Sequence, residues 1–278
     1  LNFSSEYIFD QESLHMFDLI LSEENLNLIN RNPAAEEYVE GMLIFENDTI
    51  SPVGIRYKGS IGAFVGCLDG PNMFEPSGAK ICTKLSMKIK INWEGRKEKF
   101  FGLKKLQFHS MNNDASQMHD RAGYWLFRQM GVPAPRAVHA KLTINGIYTG
   151  LYSLVEQIDS RFIKENFDDN EGNLYKEIWP LTSDGVPYPI DDYINALKTN
   201  ENNNPSVELI RSFGQKIADA NEEDLQQIIA EHMDIDEIIS YAVVDRIIRN
   251  DDGAFHWYCE GNGCDNHNYY WYEEPSTA

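Results

Sequence analysis

Hydrophobic and polar positions alternate along two segments in the first half of the chain, and this alternation predicts β-strands. In residues 49–59 Val53, Ile55 and Tyr57 lie on one face. Residues 84–92 have an apolar face made of Met87, Ile89 and Ile91 and a polar face made of Ser86, Lys88 and Lys90. We expect the two strands to be neighbours in one sheet.

Further along, the pattern predicts a strand, a helix and a hairpin. Residues 102–109 form the strand, and residues 113–116 cap a helix over 117–130 that Gly131 and the following prolines end. Two strands, 137–144 and 148–155, flank Asn145-Gly146, which is a strong hairpin signal.

The second half of the chain is mainly helical. Helices are predicted at 159–167, 206–218, 222–232 and 235–249, the last with Asp234 as its N-cap, and residues 22–29 form an earlier helix capped by Ser22. A short strand at 173–179 precedes a polar connection over 180–205. The order predicts an α+β chain whose β-rich first half and helical second half form two lobes.

Composition narrows the function. The 278 residues are 42% hydrophobic, as in a globular protein, and the net charge of −20 disfavours a nucleic-acid-binding surface. No apolar run approaches the roughly 20 residues of a membrane span. The first residues lack the basic and apolar segments of a signal peptide.

The cysteines leave the redox setting open. Cys259 and Cys264 are separated by four residues that include two glycines. They form a local disulfide if the chain is extracellular and two free thiols otherwise. No CxxC spacing that would indicate zinc occurs near Cys67 or Cys82.

Cations on the two predicted strands form the first candidate site. Lys88 and Lys90 project from one strand, and Arg56 and Lys58 come from the other. Such a group holds an anion, for example a nucleotide phosphate, or it is a solvated sheet face. In the helix that follows, Asp120 or His119 faces the lysines, or Asp120 pairs only with Arg121 or solvent.

A second candidate site follows the last helix. Asp251 and Asp252 come after a helix in which Ile238, Ile239, Val243, Ile247 and Ile248 are expected to be buried. Carboxylates at the rim of a core orient a hydroxyl, accept its proton or bind Mg²⁺, and Asn268 adds an oxygen ligand. Alternatively, Asn250 caps the helix and the acids only form a turn.

Read together, these segments resemble the CotH family of spore-coat-protein-H-type atypical protein kinases. The resemblance spans residues 53–272 and consists of residues 54–59, 84–91, 101–106, 114–135, 144–156 with Asp159, 172–176, Asn250-Asp251-Asp252 and His267-Asn268-Tyr269-Tyr270. No single motif is decisive, and their common order carries the resemblance.

The resemblance implies a divergent, two-lobed protein-kinase-like fold. Residues 1–45 would be an extension packing on a domain over 46–278, with an N-terminal lobe over about 46–158 and a C-terminal lobe over about 159–278. The implied roles are Lys88 for the nucleotide phosphates with Arg56 and Lys58 nearby, Asp120 as partner of Lys88, Glu156 at the adenine side, Asp252 as catalytic base supported by Asn250, and Asn268 as metal ligand.

Two features depart from the family pattern. The loop between Asp252 and His267 is longer than usual and carries Cys259 and Cys264. The family also has a Trp-Asp-x-Asp motif beyond the His-Asn pair, whose Asp binds metal, and the sequence stops at Ala278 before one. We therefore expect a chain truncated at its C-terminus, with weak or no catalysis.

The implied activity is transfer of the ATP γ-phosphoryl group, with Mg²⁺, Mn²⁺ or Ca²⁺, to Ser or Thr of a protein substrate. The expected location is extracellular, cell-surface or spore-coat associated. One alternative is a catalytically inactive binding or adhesion module on the same fold. Another is a metal-dependent hydrolase using Asp251, Asp252, His256 and His267.

Overall fold

The structure is a computed structural model that describes residues 4–70, 75–203, 205–260 and 263–275, apart from the side chains of residues 61, 260, 263 and 264. Its largest element is a mixed sheet of seven strands that closes on itself in the order β1-β2-β3-β4-β5-β7-β6. The strands are β1 (His15–Ile20), β2 (Val39–Phe45), β3 (Asp48–Tyr57), β4 (Met87–Lys90), β5 (Lys105–His109), β6 (Ala137–Ile144) and β7 (Ile147–Val155).

The predicted alternation of β3 and β4 is confirmed. Val53, Ile55 and Tyr57 are buried on β3, and Met87 and Ile89 are buried on β4. The strands pair antiparallel, with Arg56 opposite Lys88. Because side chains alternate across a strand, the apolar residues enter the core and the cations share the other face.

The core of the closed sheet is rich in aromatic rings. Phe17, Phe45, Phe100 and Phe108 are buried, and Phe17 lies 4.7 Å from Phe45 and 5.2 Å from Phe108 between ring centroids. Tilted and edge-to-face rings at these distances add to the hydrophobic stabilisation. This core holds β3 and β4, and therefore their cations, in place.

Strands β1 and β2 come from the first 45 residues, which the sequence set apart as an extension. β1 pairs antiparallel with β2 and parallel with β6, which closes the sheet. The pairing of His15 with Ala140 joins residues far apart in sequence. A strand pattern does not reveal such a partner, because side-chain periodicity carries no information on which strand lies next to it.

The chain divides into two compact units, Leu1–Trp125 with Pro135–Gln157, and Leu126–Ala134 with Ile158–Ala278. The first contains the closed sheet, α1 (Ser5–Ile8), α2 (Glu23–Arg31), α3 (Ile61–Phe64) and most of α4 (His119–Gln129). It is β-rich, whereas the second is mainly helical. The α+β class predicted from the sequence is confirmed.

The helices of the second unit are α5 (Ser160–Asn166), α6 (Ile190–Ala196), α7 (Glu208–Asp219), α8 (Glu222–His232) and α9 (Ile235–Ile247). Asp159, Asn221 and Asp234 accept hydrogen bonds from backbone N–H groups at the starts of α5, α8 and α9. Helix α6 lies in the predicted polar connection. Its single buried side chain, Tyr193, leaves no apolar periodicity to recognise.

Two small sheets complete the second unit. β8 (Leu174–Lys176) pairs with β11 (Tyr270–Tyr272), and β9 (Tyr258–Glu260) pairs with β10 (Gly263–Asp265), all antiparallel. The β9–β10 hairpin follows Asn250-Asp251-Asp252, and β11 follows Asn268. These strands therefore fix both ends of the second candidate site.

The predicted burial along α9 is wrong for Ile239, Val243, Ile247 and Ile248. Ile239 is 56% exposed and Ile247 is 68% exposed, whereas Val244 and Asp245 are buried. The apolar residues of α9 are distributed around nearly its whole circumference. Without a polar face, the pattern does not indicate which side faces the core.

The cysteines differ from expectation as well. Cys67 and Cys82 form a disulfide that the sequence did not reveal. Cys259 is disulfide-bonded and lies opposite Cys264 in the β9–β10 register, but the side chain of Cys264 falls outside the described residues. Among the described helices, none combines the length and apolar character needed to cross a bilayer.

Candidate functional site

The first unit presents a cluster of cations on one face of the sheet. Arg56 lies on β3 directly opposite Lys88 on β4, and Lys58 follows immediately after β3. Lys88 is half-buried between Met87 and Ile89, which are fully buried. The predicted grouping of Arg56, Lys58 and Lys88 is therefore present.

Lys88 has an unusual electrostatic environment. Burial lowers the pKa of its ε-amino group to about 7, helped by the positive charges of Lys105, Lys58 and Arg56 and opposed by Glu36. Among the described residues Lys88 makes no hydrogen bond or salt bridge. A half-buried amine among cations favours a bound anion, because the anion stabilises the protonated form.

Glu36 engages Arg56, a contact that the sequence did not predict. The guanidinium forms a salt bridge with the Glu36 carboxylate and lies 5.1 Å from the centroid of the Tyr38 ring. The same carboxylate accepts a 2.7 Å hydrogen bond from the backbone N–H of Gly59. The positive charge of Arg56 is thus partly neutralised.

Asp120 contacts a different partner from the predicted one. Its carboxylate lies 3.0 Å from Nδ1 of His109, and Nε2 of His109 lies 3.0 Å from Nζ of Lys58. In the described part of the chain Asp120 forms no salt bridge with Lys88 or Arg121. The helix does carry Asp120 towards the lysines, but Asp120 is linked to Lys58 through His109.

Asp114 fixes the start of α4, the helix that carries Asp120. Its carboxylate accepts hydrogen bonds from the backbone N–H groups of Ser116 and His119, at 2.9 and 2.8 Å. Burial would raise the pKa of Asp114, but the hydrogen bonds from Ser116 and His119 lower it to about 2. Asp114 lies within residues 113–116, where the sequence predicted the cap, although α4 begins at His119 rather than at residue 117.

Glu156 is buried and fully engaged by Arg136. Its Oε2 accepts hydrogen bonds from the backbone N–H and Nε of Arg136, at 3.1 and 3.0 Å, and the second oxygen pairs with the guanidinium. The side chain therefore ties β7 to the segment before β6. The adenine-side role of Glu156 stays a prediction.

In the second unit, Asn250 is held by a residue that the sequence did not single out. Its Nδ2 donates a 2.8 Å hydrogen bond to Asp245, whose fully buried carboxylate also accepts from Nε of Arg246 at 2.9 Å. A Cβ at Gly253 would lie 2.5 Å from Asp245 and 2.2 Å from Asn250. The turn after α9 thus requires glycine and a buried carboxylate.

Asp252 and Asn268 are brought together as predicted for a shared site. Nδ2 of Asn268 donates to the Asp252 carboxylate at 2.7 Å and to its backbone oxygen at 2.8 Å. The N–H of Asn268 donates to Glu177 at 2.8 Å, and Asn268 has a left-handed φ of 59°. Glu177 therefore fixes the backbone conformation that directs the amide to Asp252.

The donor chemistry of this pair fits a hard divalent cation. The Asp252 carboxylate is exposed, and Oδ1 of Asn268 accepts no hydrogen bond from any described residue. Mg²⁺ is commonly held by one or two protein oxygens, with phosphate oxygens and water completing the shell. The described residues contain no group of three or more His, Cys, Asp or Glu side chains arranged for a metal.

The remaining polar residues around this site pack against aromatic rings. Tyr258 lies 4.7 Å from His256 and 5.7 Å from His267 between centroids, and its hydroxyl donates to the backbone oxygen of Asp251 at 2.6 Å. Burial and the negative charge of Asp252 raise the pKa of Tyr258. The two histidines therefore line an aromatic cluster, and in the described residues they complete no metal centre with Asp251 and Asp252.

Comparison with known proteins places the chain in a family. A family model described as "CotH kinase protein" matches residues 55–278, which includes both candidate sites. A 62-residue stretch is 40% identical to the "Inner spore coat protein H-like protein" of Bacillus subtilis (strain 168), covering 22% of this chain and 19% of that protein. The match to the family model extends over most of the sequence, and the chain belongs to the CotH family.

Proposed function

We propose that this chain is an ATP-dependent protein Ser/Thr kinase of the CotH type, with a two-lobed kinase-like fold. The observation that carries the proposal is Lys88, a half-buried amine among cations and without a hydrogen-bond or salt-bridge partner in the described residues. In the first unit Lys88 and Lys58 bind the ATP phosphates. In the second unit Asp252 accepts the proton of the substrate hydroxyl, and Asn268 would hold the metal.

The proposed reaction is a direct phosphoryl transfer. Asp252 accepts the proton of a substrate Ser or Thr hydroxyl as its oxygen bonds to the γ-phosphorus, and the bond from phosphorus to the β–γ bridging oxygen breaks to release ADP. Asn250 and Asp245 hold the turn that carries Asp252. Because this chemistry depends on positioning and charge neutralisation, the rigid turn and the cations account for most of the expected catalysis.

Asn268 would hold a divalent metal through its Oδ1, with Mg²⁺ first and Mn²⁺ or Ca²⁺ as alternatives, and phosphate oxygens and water would complete the shell. The metal would neutralise charge on the phosphate oxygens. The hydrogen bonds from Nδ2 of Asn268 to Asp252 fix the orientation of the amide that carries this oxygen. ATP is the second cofactor in the proposal, with its phosphates held by Lys88 and Lys58.

We assign the chain to a spore-coat or other extracellular setting. The support is the family itself and the similarity to the inner spore coat protein H-like protein of Bacillus subtilis. The disulfide between Cys67 and Cys82 is in keeping with an oxidising environment.

The test is ATP turnover with Mg²⁺ and a Ser/Thr protein substrate, comparing Asp252→Asn with Asp251→Asn. Asp252→Asn should lower the rate roughly a hundredfold or more, because the general base is lost. Asp251→Asn changes an exposed neighbour and serves as the matched control. Equal rates in the two variants would contradict the assignment of Asp252 as the base.

A catalytically inactive binding module is the second candidate. It is favoured because the described residues contain no group of three or more His, Cys, Asp or Glu side chains that could hold a metal ion. Calorimetry of ATP binding with and without Mg²⁺, for the wild type and Lys88→Ala, separates the two functions. A module that binds ATP through Lys88 but shows no turnover would support the second candidate over the kinase.

A further inference from the structure

We propose that His109 is a positioning residue that transmits the effect of Asp120 to Lys58. The proposal rests on the proposed function, since it specifies how the phosphate-binding lysines are arranged. In it, Asp120 does not act on Lys88 directly. The imidazole of His109 stands between the carboxylate and the second lysine, Lys58.

The distances define one continuous arrangement. Oδ2 of Asp120 lies 3.0 Å from Nδ1 of His109, and Nε2 of His109 lies 3.0 Å from Nζ of Lys58. Nζ of Lys58 also donates a 2.9 Å hydrogen bond to Oε1 of Gln107. Gln107 and His109 are two residues apart on β5, so they lie on the same face of the sheet.

Hydrogen-bond chemistry selects one tautomer of His109. A lysine ammonium only donates, so Nε2 must accept from Lys58 and carry no proton. The proton is then on Nδ1, and the ionised carboxylate of Asp120 accepts a hydrogen bond from this N–H. Both contacts are satisfied by the neutral Nδ1–H imidazole, whereas an imidazolium would place two donors against each other at Lys58.

The surrounding charges favour this neutral form. Burial lowers the pKa of His109, Lys58 and Lys88 lower it further, and Asp120 opposes them without reversing the direction. Burial raises the pKa of Asp120, but its interactions with His109, Ser153 and Lys58 together lower it below its usual value. A neutral ring next to an ionised Asp120 is therefore the stable combination.

This arrangement has a consequence for anion binding. The imidazole orients the ammonium of Lys58 without adding a negative charge beside it. A carboxylate in the same place would compete with phosphate for the ammonium. His109 thus fixes the direction of Lys58 through a neutral acceptor rather than through a carboxylate.

The first experiment measures the tautomer in the nucleotide-free protein. Long-range ¹H–¹⁵N NMR spectra of the His109 ring should show the Nδ1–H form, and Asp120→Asn should raise the share of the Nε2–H form. The side-chain signals of Lys58 should shift in His109→Leu and return towards the wild-type position in His109→Gln, whose amide supplies an acceptor. An Nε2–H ring in the wild type would overturn the proposal.

The second experiment is a double-mutant cycle on binding of Mg²⁺–ATP, followed by calorimetry. Lys58→Met and His109→Leu should each weaken binding about tenfold, as expected for one charge-assisted hydrogen bond. The double variant should bind no more weakly than Lys58→Met, because His109 acts through Lys58. Additive losses in the double variant would overturn the positioning role.

His139 provides the matched control. It lies on β6 of the same unit, and its ring contacts the backbone oxygen of Gln117 at 2.7 Å rather than a lysine. His139→Leu should leave the Lys58 signals in place. If the wild type binds no nucleotide, the kinase proposal fails, and the tautomer and the Lys58 shifts still decide the role of His109.

Discussion

Lys88 illustrates, at the scale of single residues, how burial and neighbouring charges change the chemistry of a side chain. The alternating pattern predicted its face of the strand, and the resemblance to the family predicted its phosphate-binding role. Its lowered pKa was not predicted, because it arises first from burial and then from the charges of Lys105, Lys58 and Arg56, and only pairing of the strands buries Lys88 and brings Lys105 and Arg56 close.

We expect Lys88 to take up a proton when a polyphosphate binds. At pH 8 the amine is mostly neutral, since its pKa has fallen from 10.5 to about 7, and a bound anion favours the protonated form. Calorimetry of tripolyphosphate binding in two buffers with different ionisation enthalpies measures the uptake. Lys88→Met should abolish the uptake, whereas Lys90→Met, from the same strand, should retain it.

The lowered pKa of Lys88 also determines how this residue changes the free energy of unfolding with pH. Between pH 7 and 10.5 the unfolded chain binds more protons at this residue than the folded chain. The contribution of Lys88 to the free energy of unfolding therefore increases as the pH rises through this window, which is a gain in stability. Lys88→Met should remove that gain, and an unchanged pH dependence in the variant would contradict the assigned pKa.

At the scale of elements, local sequence signals predicted most helix starts and one tight turn. The side chains of Ser22, Asp159 and Asp234 accept hydrogen bonds from backbone N–H groups at the starts of their helices. Asn145 begins the predicted hairpin turn with a φ of 51°. Its side chain also exchanges hydrogen bonds with the backbone of Leu21, a contact that no local pattern indicates.

Asp114→Ala should lower the free energy of unfolding by about 1 kcal/mol, because the backbone N–H groups of Ser116 and of His119, the first residue of α4, lose their acceptor. Chemical denaturation at pH 7 measures the change. Since the pKa of Asp114 is lowered from 3.8 to about 2, its stabilisation is present above pH 3.8 and is lost as the pH falls through 2.

Asp114→Asn separates the two effects. The amide oxygen keeps an acceptor for the cap, so the stability at pH 7 should fall less than in Asp114→Ala. The loss of stability that protonation of Asp114 causes in acid should disappear, because the amide does not titrate. If Asp114→Asn lost stability in acid as steeply as the wild type, the assigned pKa would be wrong.

At the scale of the whole molecule, the Cys67–Cys82 disulfide constrains the segment after β3. The bonded residues are 15 positions apart. A loop of this length stabilises by about 3 kcal/mol through the restricted unfolded chain. The double variant Cys67→Ser/Cys82→Ser should therefore have a lower Tm than the wild type in calorimetry.

Reduction supplies the control for this prediction. Dithiothreitol should lower the Tm of the wild type towards that of the double variant. The double variant retains Cys259, so any remaining effect of the reductant on it reports on the bond made by Cys259. Equal Tm values for the oxidised wild type and the double variant would contradict the predicted stabilisation.

The sequence by itself determined the elements whose signals lie within a few residues of one another. The strands around Val53 and Met87, the hairpin at Asn145 and the cap at Asp234 all follow from local periodicity or capping. The motifs in their order also determined the family. Local patterns suffice there because backbone conformation and capping depend on near neighbours.

Only the tertiary structure decided the partners that are distant in sequence. Among these are the closure of β1 on β6, the salt bridge between Glu36 and Arg56, and the contact of Lys58 with His109. The buried face of α9 was decided in the same way, since its pattern is apolar on nearly all sides. The physical reason is that packing and charge act through space, and periodicity along the chain does not specify which distant residues meet.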